Sequence, residues 1–551
     1  MRVTEFRLGW MVWLALIANL GAASSDLRLV DAVREGDHEA VRSLIKERAD
    51  VNAPQAYGAT VLAWAAHRDD LEMVELLMGA GANVNTADVY GVTPLSLACT
   101  NGNAAVVEKL LRAGANPNAA RSTGETPLMT CARTGNREAV KSLLVHGADV
   151  NARENERGQT ALMWAVAQEH PDVVGALVEH GADLQARSAT LPLYTPKIIN
   201  KSSGALIEFY NKNVYFPKVK GGFTPLMFAG QAGALDSARI LLAAGVDVNA
   251  ATLDDGSPLV LASSNGHGKV ALFLLEKGAD PNATDGYGLT ALHWALQEGI
   301  VVLFSRPSIT DPFWVHPNMP ELVTALLAHG ADPNARITRD FLPYDIQRFS
   351  RARGNSLPQV GLTGATPFLL AAAVADLDAM HLLVEAGADP TVATEEGTTP
   401  LMVAAGMGTD RNLSVAASGC CIPGTAARTE EPQKKFLEAA KLAVRWGDSV
   451  NAVTLGGRTA LHGAALYGFT DMVQLLADKG ADLDAKDMYG QTALSIAMAD
   501  PDGLVYRHLK DYNPDDRFRR RRGGPHQATV ELLLNLGAAP YIRNGRNIKV
   551  F

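Results

Sequence analysis

The 551-residue chain is poor in several things, and each shortage removes a class of protein. Four cysteines are too few for a disulfide-stapled fold or for a protein built on several zinc sites. Aromatic residues make up 6%, little for a chain organised around large globular cores. Basic residues do not predominate: 50 Lys and Arg stand against 59 Asp and Glu, a formal net charge of −9, which argues against bulk nucleic-acid binding. After the first twenty or so residues no long apolar run occurs, so no membrane span is expected there. Catalytic signatures are missing too. There is no Gly-x-Ser-x-Gly, no His-Glu-x-x-His, no Walker-type Gly-Lys-Ser/Thr loop and no Cys-x-x-Cys-His. Charged residues at 20% and hydrophobic residues at 47% nevertheless describe a folded chain. Glycine is the abundant residue, with 50 copies against 27 prolines, and it falls at regular punctuation points.

The N-terminus reads as an address. Arg2 and Arg7 precede the apolar stretch Leu8 to Leu20, and the small residues Gly21, Ala22, Ala23, Ser24 and Ser25 follow. A positive flank, a short apolar run and a small-residue exit describe a secretory signal peptide. The run is shorter than the about 20 residues a spanning helix needs. Residues 1–25 are therefore expected to be a signal peptide or signal anchor. Cleavage near Ala23 would leave a mature chain that is exported, periplasmic or secreted, and without a membrane span.

Self-comparison reveals a repeat of about 33 residues. Its opening recurs as Gly91-Val-Thr-Pro-Leu, Gly124-Glu-Thr-Pro-Leu, Gly158-Gln-Thr-Ala-Leu, Gly222-Phe-Thr-Pro-Leu and Gly288-Leu-Thr-Ala-Leu. It continues at Gly364, Gly397, Gly457 and Gly490, with weaker copies at Gly58 and Gly256. Its close recurs as Gly81-Ala-Asn-Val-Asn, Gly147-Ala-Asp-Val-Asn, Gly278-Ala-Asp-Pro-Asn and Gly330-Ala-Asp-Pro-Asn. The Thr93 hydroxyl suits the free amides of a helix start and Pro94 its first position. Val106, Val107, Leu110 and Leu111 have the spacing of a buried helical stripe. Gly114 supplies a left-handed helix end, and Asn85 to Gly91 reads as a turn.

These motifs resemble the ankyrin repeat family, whose unit carries a Thr-Pro-Leu-His signature. The chain looks like an exported, bacterial-type member. His293 and His462 supply the signature histidine, while Ala63, Ser96, Met129 and Met227 replace it elsewhere. The resemblance implies an all-α solenoid of about twelve helix-turn-helix units over residues 26–551. It also implies that His293 and His462 tie neighbouring turns together, and that partners, usually proteins, bind the concave face and the projecting turns. A single unit cannot bury its own apolar face, so stacking must supply the core.

Five insertions interrupt the period, at 191–220, 300–317, 337–361, 408–432 and 500–525. The first and third fall between units and enlarge projecting turns; the others fall between the two helices of a unit. Long loops in compact folds are often functional. The 191–220 loop carries Lys197, Lys201, Lys212, Lys218 and Lys220 against Glu208 alone, with Tyr194, Phe209, Tyr210, Tyr215 and Phe216. Its segment Ala205 to Tyr210 suits a strand or short helix. A basic, aromatic loop on an acidic body suits an acidic partner or glycan; alternatively its aromatics brace it against its own solenoid. Arg517 to Arg522 reads as a solvated loop, with phosphate or acidic-surface binding as the alternative.

Expected partner-contacting residues are Tyr57, Arg68, Tyr90, Tyr210, Tyr215, Lys218, Lys220, Tyr287, Tyr467 and Tyr489, with His67, Arg133 and Met407 beside them. Tyrosine offers contact area at low entropic cost. Trp64, Trp164 and Trp294 recur where other copies have Leu97, Phe228 and Leu261, and read as core. Cys99 and Cys131 read as small buried residues in adjacent units, with a disulfide as the alternative. Cys420-Cys421 reads as a pair of free or labile thiols. The reading that results is a non-catalytic scaffold outside the cytoplasm, with no catalytic residues, metal or cofactor, that engages a protein partner. Its rival is an envelope glycan binder or an enzyme whose site is assembled from the insertions.

Overall fold

The computed structural model describes residues 27–192, 198–199, 206–207, 214–215, 219–304, 316–341, 361–407, 430–488, 490–498, 526–539, 542–543 and 546–547. The expected signal segment, Cys420, Cys421 and the Arg517 to Arg522 run lie outside them. The chain divides into two compact units, an N-terminal one of residues 1–189 with 239–244 and a C-terminal one of 190–238 with 245–551.

In the N-terminal unit five helix pairs follow one another. They are α1 (Leu27–Glu35) with α2 (His38–Lys46), α3 (Val61–His67) with α4 (Leu71–Gly79), and α5 (Pro94–Asn101) with α6 (Ala104–Arg112). Then come α7 (Pro127–Thr134) with α8 (Arg137–Val145) and α9 (Ala161–Ala167) with α10 (Pro171–Glu179). The first helices stack in order, α1 on α3, α3 on α5, α5 on α7 and α7 on α9.

The local chemistry is that of the repeat. Thr93 Oγ1 accepts the Ser96 amide at 3.2 Å and Thr126 Oγ1 the Met129 amide at 3.3 Å, each satisfying a helix-start donor, with Pro94 and Pro127 opening the helices. Asn103 caps α6 by accepting from Val106 N, and Gly114, at φ +87°, turns the chain after it. Val106, Val107, Leu110 and Leu111 are all buried. Each such side chain is matched in the neighbouring repeats, so the apolar core runs along the stack.

Polar ladders join consecutive repeats. The closing asparagine of one repeat donates to the closing glycine carbonyl of the next and accepts the amide two residues further on. Asn52 does so with Gly81 O and Asn83 N, Asn85 with Gly114 O and Asn116 N, and Asn118 with Gly147 O and Asp149 N. At the opposite end of the helices the carbonyls left free by the first helix are met from the next repeat. Arg34 O accepts from Arg68 Nη1, Gly102 O from Asn136 Nδ2, and Arg133 O from His170 Nε2. Cys99 on α5 and Cys131 on α7 are wholly buried and joined as a disulfide, with Cα atoms 4.7 Å apart. The expectation of two merely small buried residues is corrected: adjacent first helices are covalently stapled.

The C-terminal unit holds α11 (Pro225–Ala232) and the first residues of α12 (Leu235–Ala243), followed by α13 (Pro258–Ser264) and α14 (Gly268–Glu276). α15 (Ala291–Ala295) is cut to five residues, and the insertion expected from 300 begins as a helix, α16 (Gln297–Phe304), which lies on α18 (Pro367–Ala373). α17 (Pro320–Ala328) completes that repeat. Then follow α19 (Leu377–Glu385), α20 (Pro400–Ala404), α21 (Glu430–Arg445), α22 (Ala460–Tyr467), α23 (Thr470–Asp478), α24 (Ala493–Ala497) and α25 (Gln527–Asn535).

The repeats are all-α, as expected. Short strands occur in and around the 191–220 insertion. β1 (Thr190–Pro192) pairs antiparallel with a strand at Val219–Gly221, closing the base of the loop. Within it β2 (Ile198–Ile199) pairs with β3 (Leu206–Ile207), so the Ala205 to Tyr210 segment contributes a strand. β4 (Val214–Tyr215) precedes the Val219–Gly221 strand, β5, and runs parallel to β6 (Asp340–Phe341) of the third insertion. A last pair, β7 (Ile542–Arg543) and β8 (Arg546–Asn547), lies near the C-terminus.

Candidate functional site

Two sets of positions on this scaffold are left over from its own construction. The first is the projecting turns. Each tip receives a backbone hydrogen bond from the next: Tyr57 O accepts from Val89 N, and Tyr90 O from Ser122 N, both at 2.9 Å. In the C-terminal unit Tyr287 O accepts from Thr338 N at 3.0 Å and Gly456 O from Met488 N at 2.8 Å. The backbone is thereby held while the side chains point outward. Tyr57 and Tyr90 are 46% and 56% exposed, as a contact role requires, and Tyr57 sits in the left-handed region at φ +64°. Tyr287 is only half-buried and stands at the rim of the turn.

The second set is the pair of positions seven and eight residues after the capping Thr, at the end of each first helix. In the N-terminal unit His67, Arg68, Thr100, Asn101, Arg133 and Thr134 are all exposed. Here the tryptophans must be re-read. Trp64, Trp164 and Trp294 are half-buried, not core. Arg34 lies over Trp64 with its Cζ 4.7 Å from the ring centre, and Arg133 over Trp164 at 5.1 Å. The His67 ring meets Trp64 edge-on. Trp64 Nε1 donates to Gln55 Oε1 and Trp294 Nε1 to Asp285 Oδ2, tying the helix to its turn. The position repeats among large apolar types because one ring face must pack. Nothing in one repeat reveals the arginine that covers the other face, since it comes from the preceding repeat.

Other expected residues are placed differently. Tyr467 is half-buried, stacked on Phe469 at 5.7 Å and set against Gly406, so it braces its own scaffold. Met407 is buried, contrary to its expected place on the surface. Tyr215 and Lys220 fall in β4 and β5. Tyr210, Lys218 and Tyr489 lie outside the described residues.

His293 and His462 do tie neighbouring turns. His293 Nδ1 accepts the Thr290 amide and its Nε2 donates to Ala335 O at 3.1 Å; His462 does the same with Thr459 and Gln491 O. Burial lowers both, His293 to about 4. With both ring nitrogens engaged and the proton shed, neither can serve as a general base.

An open cleft of about 750 Å³ lies between the 282–290 turn and residues 332–339, beside β6. Its polar walls are already committed. Asp285, raised by burial to about 6, takes the amides of Tyr287 and Leu289 and the Trp294 indole. Asn282 is a ladder rung between Gly330 O and Asp332 N, and Arg336 Nη2 donates to Ala393 O. Among the described residues no group of three His, Cys, Asp or Glu side chains is placed to share a metal ion, and no helix is long and apolar enough to cross a membrane.

The comparisons agree with this architecture. The family described as Ankyrin repeats (3 copies) matches at residues 29–121, 106–188, 205–285, 251–337 and 426–509, more than half of the chain. The human Ankyrin repeat and SOCS box protein 16 is 31% identical over 193 residues, 32% of this chain and 37% of that protein. The Arabidopsis thaliana E3 ubiquitin-protein ligase KEG is 27% identical over 319 residues, 55% of this chain and 17% of the ligase. An ankyrin repeat-containing protein of Schizosaccharomyces pombe, P1E11.10, is 36% identical over 79 residues, 14% of this chain and 36% of that protein. The chain thus spans little more than a third, at most, of these relatives. The Thr-capped helix pairs, the asparagine ladder and the family match together make this chain a member of the ankyrin repeat family.

Proposed function

We propose that the chain is a non-catalytic binding module that works outside the cytoplasm and holds a protein partner on its turn tips and first-helix ends. The observation that carries the reading is the division of labour in the side chains. Thr caps, Asn rungs and buried Leu pairs hold the scaffold, while Tyr57 and Tyr90 on the turn tips and His67, Arg68 and Arg133 at the first-helix ends stay exposed. Exposed aromatics and arginines of this kind anchor interfaces. Placement outside the cytoplasm rests on the N-terminal segment. The Cys99–Cys131 disulfide supports it, because such bonds persist in oxidising compartments.

A photo-cross-linking amino acid in place of Tyr90 tests the reading on the full chain in its secreting host. It should trap a partner that the same group at Val145, 77% exposed on α8, does not. Equal trapping at both positions would sink the idea. Export is checked separately: the mature protein should begin between Ser24 and Asp26. The role of the 191–220 loop follows from a variant that cuts it to a plain turn. A folded variant with partner capture reduced about tenfold, or about 1.4 kcal/mol, supports the loop as a contact. Unfolding would make it a brace. The rival reading, a site assembled from insertions, has one observation in its favour, the β4–β6 pairing of the first and third insertions.

A further inference from the structure

Three of four successive layers of the N-terminal unit carry one arginine at the exposed end of the first helix. Arg34 stands at the end of α1, Arg68 just past α3 and Arg133 on α7. The α5 layer has Thr100 and Asn101 at those positions, and Arg121 fills the gap from the neighbouring turn, its Nη2 donating to Thr100 Oγ1 at 3.3 Å. Arg34 and Arg133 lie over Trp64 and Trp164, which constrains their direction, and Arg133 Nη2 also donates to Glu125 Oε1 at 3.4 Å. The acids of the face neutralise only part of the row, at Arg121 and Arg133. Glu125, its carboxylate largely buried, is taken up between Arg121, Arg133 and the Thr130 hydroxyl. Asp31 and Glu35 stand at the α1 end alone, and Asp88 is occupied by the amides of Tyr90 and Val92. Beneath the face two buried donors, Arg121 Nε and Trp164 Nε1, have no acceptor among the described residues of the protein. The face offers hydrogen-bond donors and positive charge in a protein that is acidic overall.

We infer that this row, Arg34, Arg68, Arg121 and Arg133 with the stacked Trp64 and Trp164, seats an extended acidic segment of a protein partner. The inference rests on the proposed binding role and names the chemistry of the partner. Spacing selects the class of ligand. Stacked helices lie about 8–10 Å apart, so the arginines recur at about that interval. An extended chain of the polyproline-II type advances about 3.1 Å per residue with about three residues per turn, so an acidic side chain at every third residue stays on one face and matches the row. A nucleic-acid strand, with a phosphate about every 3.4 Å, would present more charge than the row can meet. Exposed Tyr57 and Tyr90 at the adjoining tips accept apolar residues between the acids. The Cys99–Cys131 disulfide joins α5 to α7 and fixes the spacing of the last two of these layers.

The test uses the full mature chain and a fluorescent peptide of about twelve residues with Glu at every third position. Two control peptides replace Glu by Gln and by Lys. The Glu peptide should bind, weaken with added salt, and outcompete both controls. The R34Q/R68Q/R133Q variant should lose about tenfold or more in affinity, the sum expected of three exposed ion pairs, and lose its salt dependence. The Gln peptide keeps the question answerable even if the triple variant folds poorly, since the protein is then unaltered. Equal binding of Glu and Gln peptides overturns the inference. So does tighter binding of single-stranded oligothymidylate or a sulfated oligosaccharide than of the Glu peptide. If the Glu peptide fails while cross-linking at Tyr90 still traps a partner, the acidic segment is wrong and the binding role stands. If cross-linking fails as well, both fall.

Discussion

The two compact units repeat one helix pair, yet the positions that end the first helix differ between them. From α1 to α9 these positions hold Arg34, His67, Arg68, Thr100, Asn101, Arg133 and Gln168, nearly all exposed. From α11 to α22 they hold Gln231, Ser264, Gln297, Ala373, Gly406, Met407, Leu466 and Tyr467, with no Lys or Arg in the row and most of them partly or wholly buried. The cause is visible in the packing. α16 lies on α18 so closely that a Cβ on Gly299 would come within 2.2 Å of Leu370 O, and Tyr467 presses on Gly406. In the C-terminal unit these positions have been drawn into the scaffold; in the N-terminal unit they remain available. A repeat therefore offers a surface only where its neighbours have not used it for stacking.

The largest effect that should separate the units is a core deletion. Leu110→Ala on α6 and Leu274→Ala on α14 each remove a fully buried side chain and should each cost about 2–5 kcal/mol. Stacked repeats touch only their neighbours, so amide exchange should speed up around the altered repeat first. Uniform loss of protection along the chain from either variant would show the units to be energetically one.

Next comes the staple, which only the N-terminal unit possesses among the described residues. Replacing Cys99 and Cys131 by Ala should destabilise residues 27–189 by about 2–4 kcal/mol, because the closed loop of 32 residues constrains the unfolded chain. Exchange in residues 245–339 should not change. The same localised loss should follow when a reductant reaches the disulfide, measured by exchange before and after reduction.

Much of this organisation was legible in the sequence, and what was not has one physical origin. Thr93, Pro94, Asn103 and Gly114 act on their own helices, and the period revealed them. Cys99 meets Cys131, Arg133 meets Trp164 and His170 meets Arg133 O across 31 to 37 residues, between copies of the repeat. A self-comparison shows which positions recur; it does not show which side chain crosses to the next layer. Hence the tryptophans read as core and Met407 as exposed. Tyr57 and Tyr90 were found because a turn tip is defined within one repeat.

Acidity should pull the units in opposite directions through single histidines. In the C-terminal unit His293 falls from 6.5 to about 4 on folding. Its native form refuses a proton that the unfolded chain accepts, so its contribution is complete above pH 6.5 and is lost as pH falls toward 4. At about 1.4 kcal/mol per unit, that is about 3 kcal/mol. Asp285 and Asp448, both raised by burial to about 6, change with the opposite sign over pH 6 to 4 and mask it in the intact protein. The variant isolates it: the stability difference between the parent protein and His293→Gln should shrink by about 3 kcal/mol from pH 7 to 4. In the N-terminal unit His38 is raised by its hydrogen bond to Asp70, at 2.8 Å, and by Glu72. That clasp between the first two repeats is complete below pH 6.5 and is lost as pH rises through the folded value. The penalty of His38→Gln should therefore be larger at pH 5.5 than at pH 8.5. Parallel pH profiles for the two variants would contradict the assignment.

The smallest effect concerns a missing rung. In the C-terminal unit Asn249, Asn282, Asn334 and Asn451 each bridge to the next closing glycine. Thr391 holds that position in the repeat between Asn334 and Asn451. Its hydroxyl turns back to Asp389 Oδ1 at 2.7 Å, and its methyl lies 3.7 Å from where a Cβ on Gly447 would stand. The next repeat also departs from the pattern, with the buried Asp448 where other copies have Ala82, Ala115 or Ala331. Asp448 accepts from the Leu401 amide at 2.8 Å and engages the Ser449 amide that a rung would otherwise receive. Thr391→Asn can therefore recover the bond to Gly447 O but not the second one. One net hydrogen bond amounts to about 1 kcal/mol, so the substitution should stabilise residues 361–488 by about that much and slow exchange on both sides of Gly447. The same change paired with Asp448→Ala frees Ser449 N for the rung but orphans Leu401 N, and should return less than the single substitution. A neutral or destabilising Thr391→Asn would mean that the ladder's strength lies in its spacing and not in its bonds.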